Sequence, residues 1–253
     1  SNLNLMIKAA EKASKSVIRD FGEVEKLQVS KKGPYDFVTK TDKNVEKILI
    51  EELSKIKKNY SFLSEEVGYI ENKDKDNIWI IDPIDGTKAF ISGIPVFTFL
   101  LSLKHRNNYL LGLVDQPILN ERFWNYNNKA FLNNKVIKVR KFNNISSTIV
   151  AITDPKMFKN YSSLNRKLFN KFNFIRWGTD ALGYMRCAEG IIDAVIERDI
   201  KIWDIAAIIP IIKASGGIIT TWDNKLPGSN DTVIACNDTK LHKMLVNTLQ
   251  NHL

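Results

Sequence analysis

Leu3, Met6, Ile7, Ala10, Ala13, Val17, Ile18 and Phe21 recur at steps of three and four residues, which predicts an amphipathic opening helix closed at Gly22. After a turn at Gly33-Pro34, Val45, Ile48, Leu49, Leu53 and Ile56 repeat that spacing and predict a second helix, entered through Thr39, Thr41 and Asp42. The pattern then changes to short apolar runs at 61–63, 78–81, 98–104, 109–114 and 121–124, divided by polar turns; these predict a strand-rich middle with a hairpin at Asn107-Asn108. The second half alternates strands and helices. Strands are predicted at 148–152, 172–176, 191–196, 217–221 and 232–235, with helices at 180–189 and 203–214 and another closing the chain. Pro210 lies inside the 203–214 pattern and is expected to kink or break that helix.

No internal repeat and no Pro/Gly/Ser-rich linker divides the sequence, so a single domain over 1–253 is expected, with a strand-rich half (about 1–140) and an α/β half (about 141–253). With 253 residues, 44% of them apolar, the chain can bury one sizeable core. The formal net charge of +9 would attract a phosphorylated substrate, a nucleic acid or an acidic protein surface alike. The basic residues are spread out without an aromatic-interleaved stripe, which disfavours a dedicated nucleic-acid face.

Cys187 and Cys236 stand far apart with no Cys-x-x-Cys pair, so they are expected to be reduced and partly buried rather than bridged or bound to zinc. His105, His242 and His252 are scattered and are expected at the surface; no nucleophilic Ser/His or Cys/His arrangement is visible. The most apolar stretches, 91–103 and 202–214, are interrupted by Gly93, Pro95, Asp204 and Pro210 and fall short of the ~18 apolar residues of a membrane span. The first ten residues lack the features of a secretory signal, and a cytoplasmic, soluble protein is expected. Because the chain starts at Ser1, a short native N-terminal piece is expected to be missing.

The strongest chemical signal is WIIDPIDGT, residues 79–87, an apolar strand that runs into two carboxylates, a proline, a glycine and a threonine. Asp82 and Asp85 leave the strand three residues apart with Pro83 fixing the turn, so both carboxylates and the Ile84 carbonyl can face one point suited to a hard divalent cation. Gly86 lets the backbone approach a bound group, and the amides of Gly86 and Thr87 would offer an anion site for phosphate. Taken alone, the motif also fits an ordinary strand exit built from turn formers. Glu65-Glu66 alone would fit a solvated pair, and Asp42 and Asp204 alone would fit helix caps. Together they place acids at several strand and helix ends.

These segments, WIIDPIDGT and WDIAAIIPIIKASGG (residues 203–217), resemble the two diagnostic motifs of the inositol monophosphatase family, and the likeness extends over nearly the full chain. The resemblance implies a five-layered αβαβα sandwich, an α/β fold with α+β layering, and dependence on two or three Mg²⁺ ions, with lithium inhibition common among members. By position, Glu65, Asp82 and the Ile84 carbonyl would hold the first ion, and Asp82, Asp85 and Asp204 the second, with Glu65 also helping to place a third through water. Thr87 and Asp42 match the pair that orients and deprotonates the attacking water, and Glu66 matches an acid beside the metals. Lys31 falls where the family often carries a basic residue near the third ion. The implied activity is hydrolysis of a small phosphorylated alcohol by water that the cations activate.

Within the family, substrate choice depends on the segment ahead of residue 180 and on the strand leading to Asp204. Glu197 matches a residue that contacts the substrate alcohol, and Asp180 would place negative charge near the leaving group, where a cationic amino alcohol would be favoured. The stretches 90–93, 115–117, 121–122 and 197–201 look more like the histidinol-phosphatase branch than the inositol branch. Histidinol phosphate is therefore the expected substrate, ahead of inositol monophosphate, with a 3′-phosphonucleotide as a lesser option. A second class of function, as a partner of RNA or of the transcription machinery, remains an alternative. The resemblance also implies a homodimer.

Overall fold

The computed structural model describes residues 1–24, 29–31, 37–158 and 162–253; the Gly33-Pro34 turn and the side chain of Lys31 lie outside the described residues. The opening helix α1 (Asn2–Phe21) starts under a cap in which the Ser1 hydroxyl accepts from the Asn4 amide, and ends at Gly22. A short antiparallel pair, β1 (Val29–Lys31) and β2 (Phe37–Thr39), leads into α2 (Lys40–Ser54). The predicted strands of the middle form one eight-stranded sheet. Its members are β3 (Tyr60–Ser64), β4 (Gly68–Ile70), β5 (Asp74–Asp85), β6 (Thr98–His105), β7 (Asn108–Gln116), β8 (Glu121–Tyr126), β9 (Lys129–Leu132) and β10 (Lys135–Ile137). They lie in the order β10-β9-β8-β7-β6-β5-β3-β4, and only β3 and β5 run parallel. A five-residue helix, α3 (Thr87–Ile91), follows β5 directly.

The second sheet contains β11 (Ile149–Ile152), β12 (Phe174–Trp177), β13 (Ala194–Ile200), β14 (Ile218–Thr220) and β15 (Asp231–Cys236), in the order β12-β11-β13-β15-β14. Its helices are α4 (Ser162–Lys171), α5 (Asp180–Ala188), α6 (Ile202–Ile205), α7 (Ile208–Ala214) and α8 (Thr239–Leu249).

Strand alternation sets the layers, because successive side chains point to opposite faces of a sheet. Phe99, Leu101 and Leu103 of β6 face α1 and α2 in one core, while Leu100 on the other face joins α5, α7 and the near face of the second sheet in a central core. On the second sheet, Ala151 and Val195 face that central core, whereas Val150, Ile152, Ala194 and Ile196 pack against α4 and α8. The layers are therefore α1/α2, first sheet, α5/α7, second sheet, α4/α8, which is the expected αβαβα sandwich. No helix among the described residues is long and apolar enough to cross a membrane.

The predicted helix over 203–214 is two short helices that meet at Ala206 and Ala207. Pro210 has no N–H to give to the carbonyl four residues earlier. That carbonyl, on Ala206, lies instead 3.0 Å from the Ser102 hydroxyl of β6, whose one proton it shares with the Leu111 carbonyl. Gly112 of β7 makes the close approach possible, since a Cβ there would lie 2.0 Å from the Ala207 oxygen. The helix break is thus docked on the first sheet, and it holds Asp204 beside the end of β5.

Several other expectations need correction. The strand expected at 191–196 runs instead from Ala194 to Ile200, because Gly190 adopts a positive φ and the turn continues through Asp193. Helix α4 and strands β4, β9 and β10 carry too few patterned apolar residues to stand out in the sequence. His242, expected at the surface, is buried on α8 and meets the Thr220 hydroxyl at 2.7 Å. His105 and His252 are half-buried, and Cys187 and Cys236 are fully buried free thiols.

Candidate active site

Strand β5 does not stop at Asp82; it continues through Pro83 to Asp85 across a register shift, in which Asp82 lies opposite Leu100 and Asp85 opposite Thr98. A bulge tolerates proline, because the ladder is already interrupted there. With Asp204 arriving from α6, one carboxylate oxygen of each of Asp82, Asp85 and Asp204 lies within 4.8 Å of the others. Each acid is held differently. Asp85 Oδ2 accepts from the Ala181 amide at the start of α5, at 2.6 Å, and Asp204 Oδ2 accepts from the Lys201 amide at 2.9 Å. Asp82, 2% exposed, keeps a buried Oδ1 that has no hydrogen-bond partner among the described residues.

Burial is the main cause that raises the Asp82 carboxyl well above the usual carboxylate range, followed by repulsion from Glu65, Asp85, Asp204 and Asp42. Asp85 is raised in the same way, by burial and then by Asp180 and Asp204, and burial pushes Asp204 up to about 6. Three converging carboxylates with an orphaned buried oxygen form a donor set that suits a hard divalent cation, whose charge would remove the repulsion. Glu65 stands at the end of β3, with its amide donating to the Ile81 carbonyl at 3.3 Å and its charge acting on Asp82. The Ile84 carbonyl accepts from the Thr87 hydroxyl at 3.0 Å.

Asp42 sits in the first turn of α2, inside a capping box: its Oδ2 accepts from the Thr39 amide and hydroxyl, and its own amide donates to Thr39 Oγ1. The helix cap and the candidate acid are therefore the same residue. Its other oxygen, Oδ1, faces the Thr87 hydroxyl at 3.5 Å. Burial pushes its carboxyl up to about 6, with the charge of Glu66 adding to the shift. Gly86 caps α3 with φ of 82°, and a Cβ there would lie 2.9 Å from an Asp180 carboxylate oxygen. Only glycine allows both the conformation and the close approach.

A cavity of about 870 Å³ opens from Gly86, Thr87 and Asp204 toward Asp154, Asp180 and Asp199. Asp180 opens α5 with a positive φ of 46°, and its amide donates to Thr153 Oγ1 at 3.1 Å. Burial pushes the Asp180 carboxyl up to about 6; Lys88 favours its charged form and Asp154 opposes it. Glu197 is 3% exposed and accepts from the Tyr184 hydroxyl at 2.7 Å and from the Thr153 hydroxyl, so it stands behind the cavity wall. Burial moves its carboxyl up to about 7.

The residues expected from the sequence, apart from Lys31, thus gather at one end of the sandwich, contributed by both sheets. The sequence reading missed Thr153, Tyr184 and Glu46. Thr153 directly follows β11, and Glu46 lies four residues after Asp42 on the buried face of α2, where an acid among apolar positions was the available signal.

The model of the "Inositol monophosphatase family" matches residues 2–253. An "Inositol-1-monophosphatase" of Mesorhizobium japonicum is 34% identical, covering 93% of this chain and 91% of its own. A "Nus factor SuhB" of Vibrio cholerae is 33% identical over 86% of this chain and 84% of its own. The crystal structure of the extragenic suppressor protein suhB from Bartonella henselae superposes with a TM-score of 0.91, at 33% identity and 99% coverage of both chains. The fold, the acidic cluster and the full-length match converge: this chain belongs to the inositol monophosphatase family of phosphatases.

Proposed function

We propose that the chain is a Mg²⁺-dependent phosphomonoesterase acting on a small phosphorylated alcohol, with histidinol phosphate preferred over inositol monophosphate. The observation that carries the reaction is the Asp82–Asp85–Asp204 cluster with a buried Asp82 oxygen that has no partner among the described residues. Glu65, Asp82, the Ile84 carbonyl, Asp85 and Asp204 would hold the ions. Bound Mg²⁺ would supply Lewis-acid activation of water and neutralise charge on the phosphoryl group and the leaving alkoxide.

The chain's own residues account for the rest. The Thr87 hydroxyl, within reach of both the Ile84 carbonyl and Asp42, orients the attacking water, and Asp42 accepts its proton. Burial raises the Asp42 carboxyl above the ordinary carboxylate range, which makes it a stronger base for that role. Gly86, without a side chain, and the Thr87 amide at the start of α3 receive the phosphate oxygens. Asp180, beside Gly86 in the cavity wall with Asp154 nearby, supports a leaving group that carries an ammonium. Glu197 keeps Thr153 and, through it, the Asp180 backbone in place. Glu66 adds negative charge beside Asp42.

The deciding measurement is phosphate release from histidinol phosphate, inositol 1-phosphate and 3′-phosphoadenosine 5′-phosphate, with and without Mg²⁺. Turnover of histidinol phosphate above the other two supports the full reading; turnover of inositol 1-phosphate alone keeps the reaction and removes the substrate. The relatives named Nus factor SuhB support a second reading, a role with RNA or the transcription machinery. A salt-sensitive RNA association that persists in Asp85→Asn, with no turnover by the unmodified protein, would favour it. A homodimer is the proposed assembly, testable by light scattering.

A further inference from the structure

Helix α2 presents two buried carboxylates one turn apart, Asp42 and Glu46. Asp42 serves the water-orienting pair. Glu46 reaches a different segment: its Oε2 accepts from the Ser64 hydroxyl and from the Glu66 amide at 3.0 Å, and the Val67 amide also bonds to its carboxylate. The contacts with Ser64 and Glu66 bracket Glu65, so the acceptor clasps the turn on both sides of a residue assigned to the cation. Nothing about the packing of α2 requires an acid here. Its neighbours on the buried face are Val45, Leu49 and Leu53, and a leucine in place of Glu46 would continue that face. It would, however, leave the Ser64 hydroxyl and the Glu66 amide without their acceptor.

We propose that Glu46 is a positioning residue: by clasping Ser64 and the Glu66 amide it fixes the turn that carries Glu65, and so sets the affinity of the acidic site for a divalent cation. This rests on the reading of Glu65 as a cation ligand. An outer acceptor of this kind acts by orienting a ligand before the ion arrives, which lowers the ordering cost of binding. It also makes α2 a common brace, with one carboxylate for the water-orienting pair and the next for the metal side. In Glu46→Gln, the amide offers one oxygen and one NH₂ group where several donors converge, so the shape is kept and the clasp is weakened.

The test is Mg²⁺ titration by calorimetry on the full chain without substrate, for the unmodified protein, Glu46→Gln and Ser64→Ala. Glu46→Gln is expected to weaken Mg²⁺ binding by about 10- to 100-fold, the usual cost of losing an outer-shell partner. Ser64→Ala, which removes one of the clasped donors, weakens it by a smaller factor. Raising Mg²⁺ to saturation is expected to restore the kcat of Glu46→Gln, which a purely structural lesion would not show. Variants that unfold at lower temperature but bind Mg²⁺ like the unmodified protein would overturn the proposal. If Glu46→Gln does not fold, unchanged affinity in Ser64→Ala overturns it as well. Absence of Mg²⁺ binding by the unmodified protein would instead remove the cation reading itself, and this inference with it.

Discussion

The two sheets contribute to the site in different ways. The first supplies Glu65, Asp82, Ile84, Asp85, Gly86 and Thr87 from the ends of two neighbouring strands and the turn that follows, braced by α2 beneath. The second supplies Asp180 and Glu197 from separate elements, linked through Thr153, and Asp204 from a helix break that docks back on the first sheet. The first group is nearly continuous in sequence and chemically uniform, as a site for a cation and a phosphate must be. The second is assembled from distant segments around an open cavity, where Lys88, from the first side, and Asp154 act on Asp180 in opposite senses. Apart from Asp204, which crosses to the cation cluster of the first side, the difference suggests a division of labour, with reaction on one side and substrate choice on the other.

The sharpest way to break this division is to remove one acid from each side. Asp82→Asn is expected to lower phosphate release from every substrate by at least ~100-fold, more than the usual loss of an outer-shell partner, and to abolish the rise in Tm that Mg²⁺ produces. Asp180→Ala, in contrast, is expected to raise KM for histidinol phosphate by about 10-fold or more, the worth of one charge-assisted hydrogen bond, and to leave inositol 1-phosphate nearly unaffected. Steady-state kinetics on both esters checks this. Equal losses on both esters in Asp180→Ala would end the division of labour.

A pH series sharpens the comparison further. Asp42, Asp180 and Asp204 are held near 6 and Glu197 near 7, all above the ordinary carboxylate range. Groups whose folded pKa is raised add stability that is fully present below their unfolded pKa and is lost as pH rises through the folded value. The metal-free protein is therefore expected to melt lower at pH 7.5 than at pH 5.5, and Mg²⁺ is expected to recover the loss at the higher pH by neutralising the cluster. Calorimetric Tm values with and without chelator test it; a metal-free Tm that increases toward pH 7.5 would contradict the burial described here. The smallest expected effect concerns the joint between the two halves. Ser102→Ala leaves the Ala206 carbonyl without its donor and is expected to cost about 1 to 3 kcal/mol, a drop of several degrees in Tm. No change in Tm would mean that the helix break does not depend on that bond.

Asp82 and Asp85 could be read as a pair because a strand followed by Pro83 and Gly86 places them by local geometry alone. The same holds for Asp42, whose capping box is a short-range pattern. Asp204 was visible as an acid in an apolar run, but its place beside Asp82 depends on Pro210, Ser102 and Gly112, which lie in three different elements. Glu46 and Thr153 were not legible, since an acid on a helix and a threonine after a strand are ordinary until their partners are known. His242 was misjudged for the same reason: its burial comes from packing against β14.

By itself, then, the sequence determined most of the succession of elements, gave the αβαβα layering through the family resemblance, and marked the candidate cation and phosphate motif on β5, because periodicity and turn chemistry act over a few residues. Only the tertiary structure decided which face each acid meets, which oxygen of Asp82 stays unpartnered, and how Asp204, Asp180 and Glu46 reach the site, because those relations depend on the packing of elements up to about a hundred residues apart.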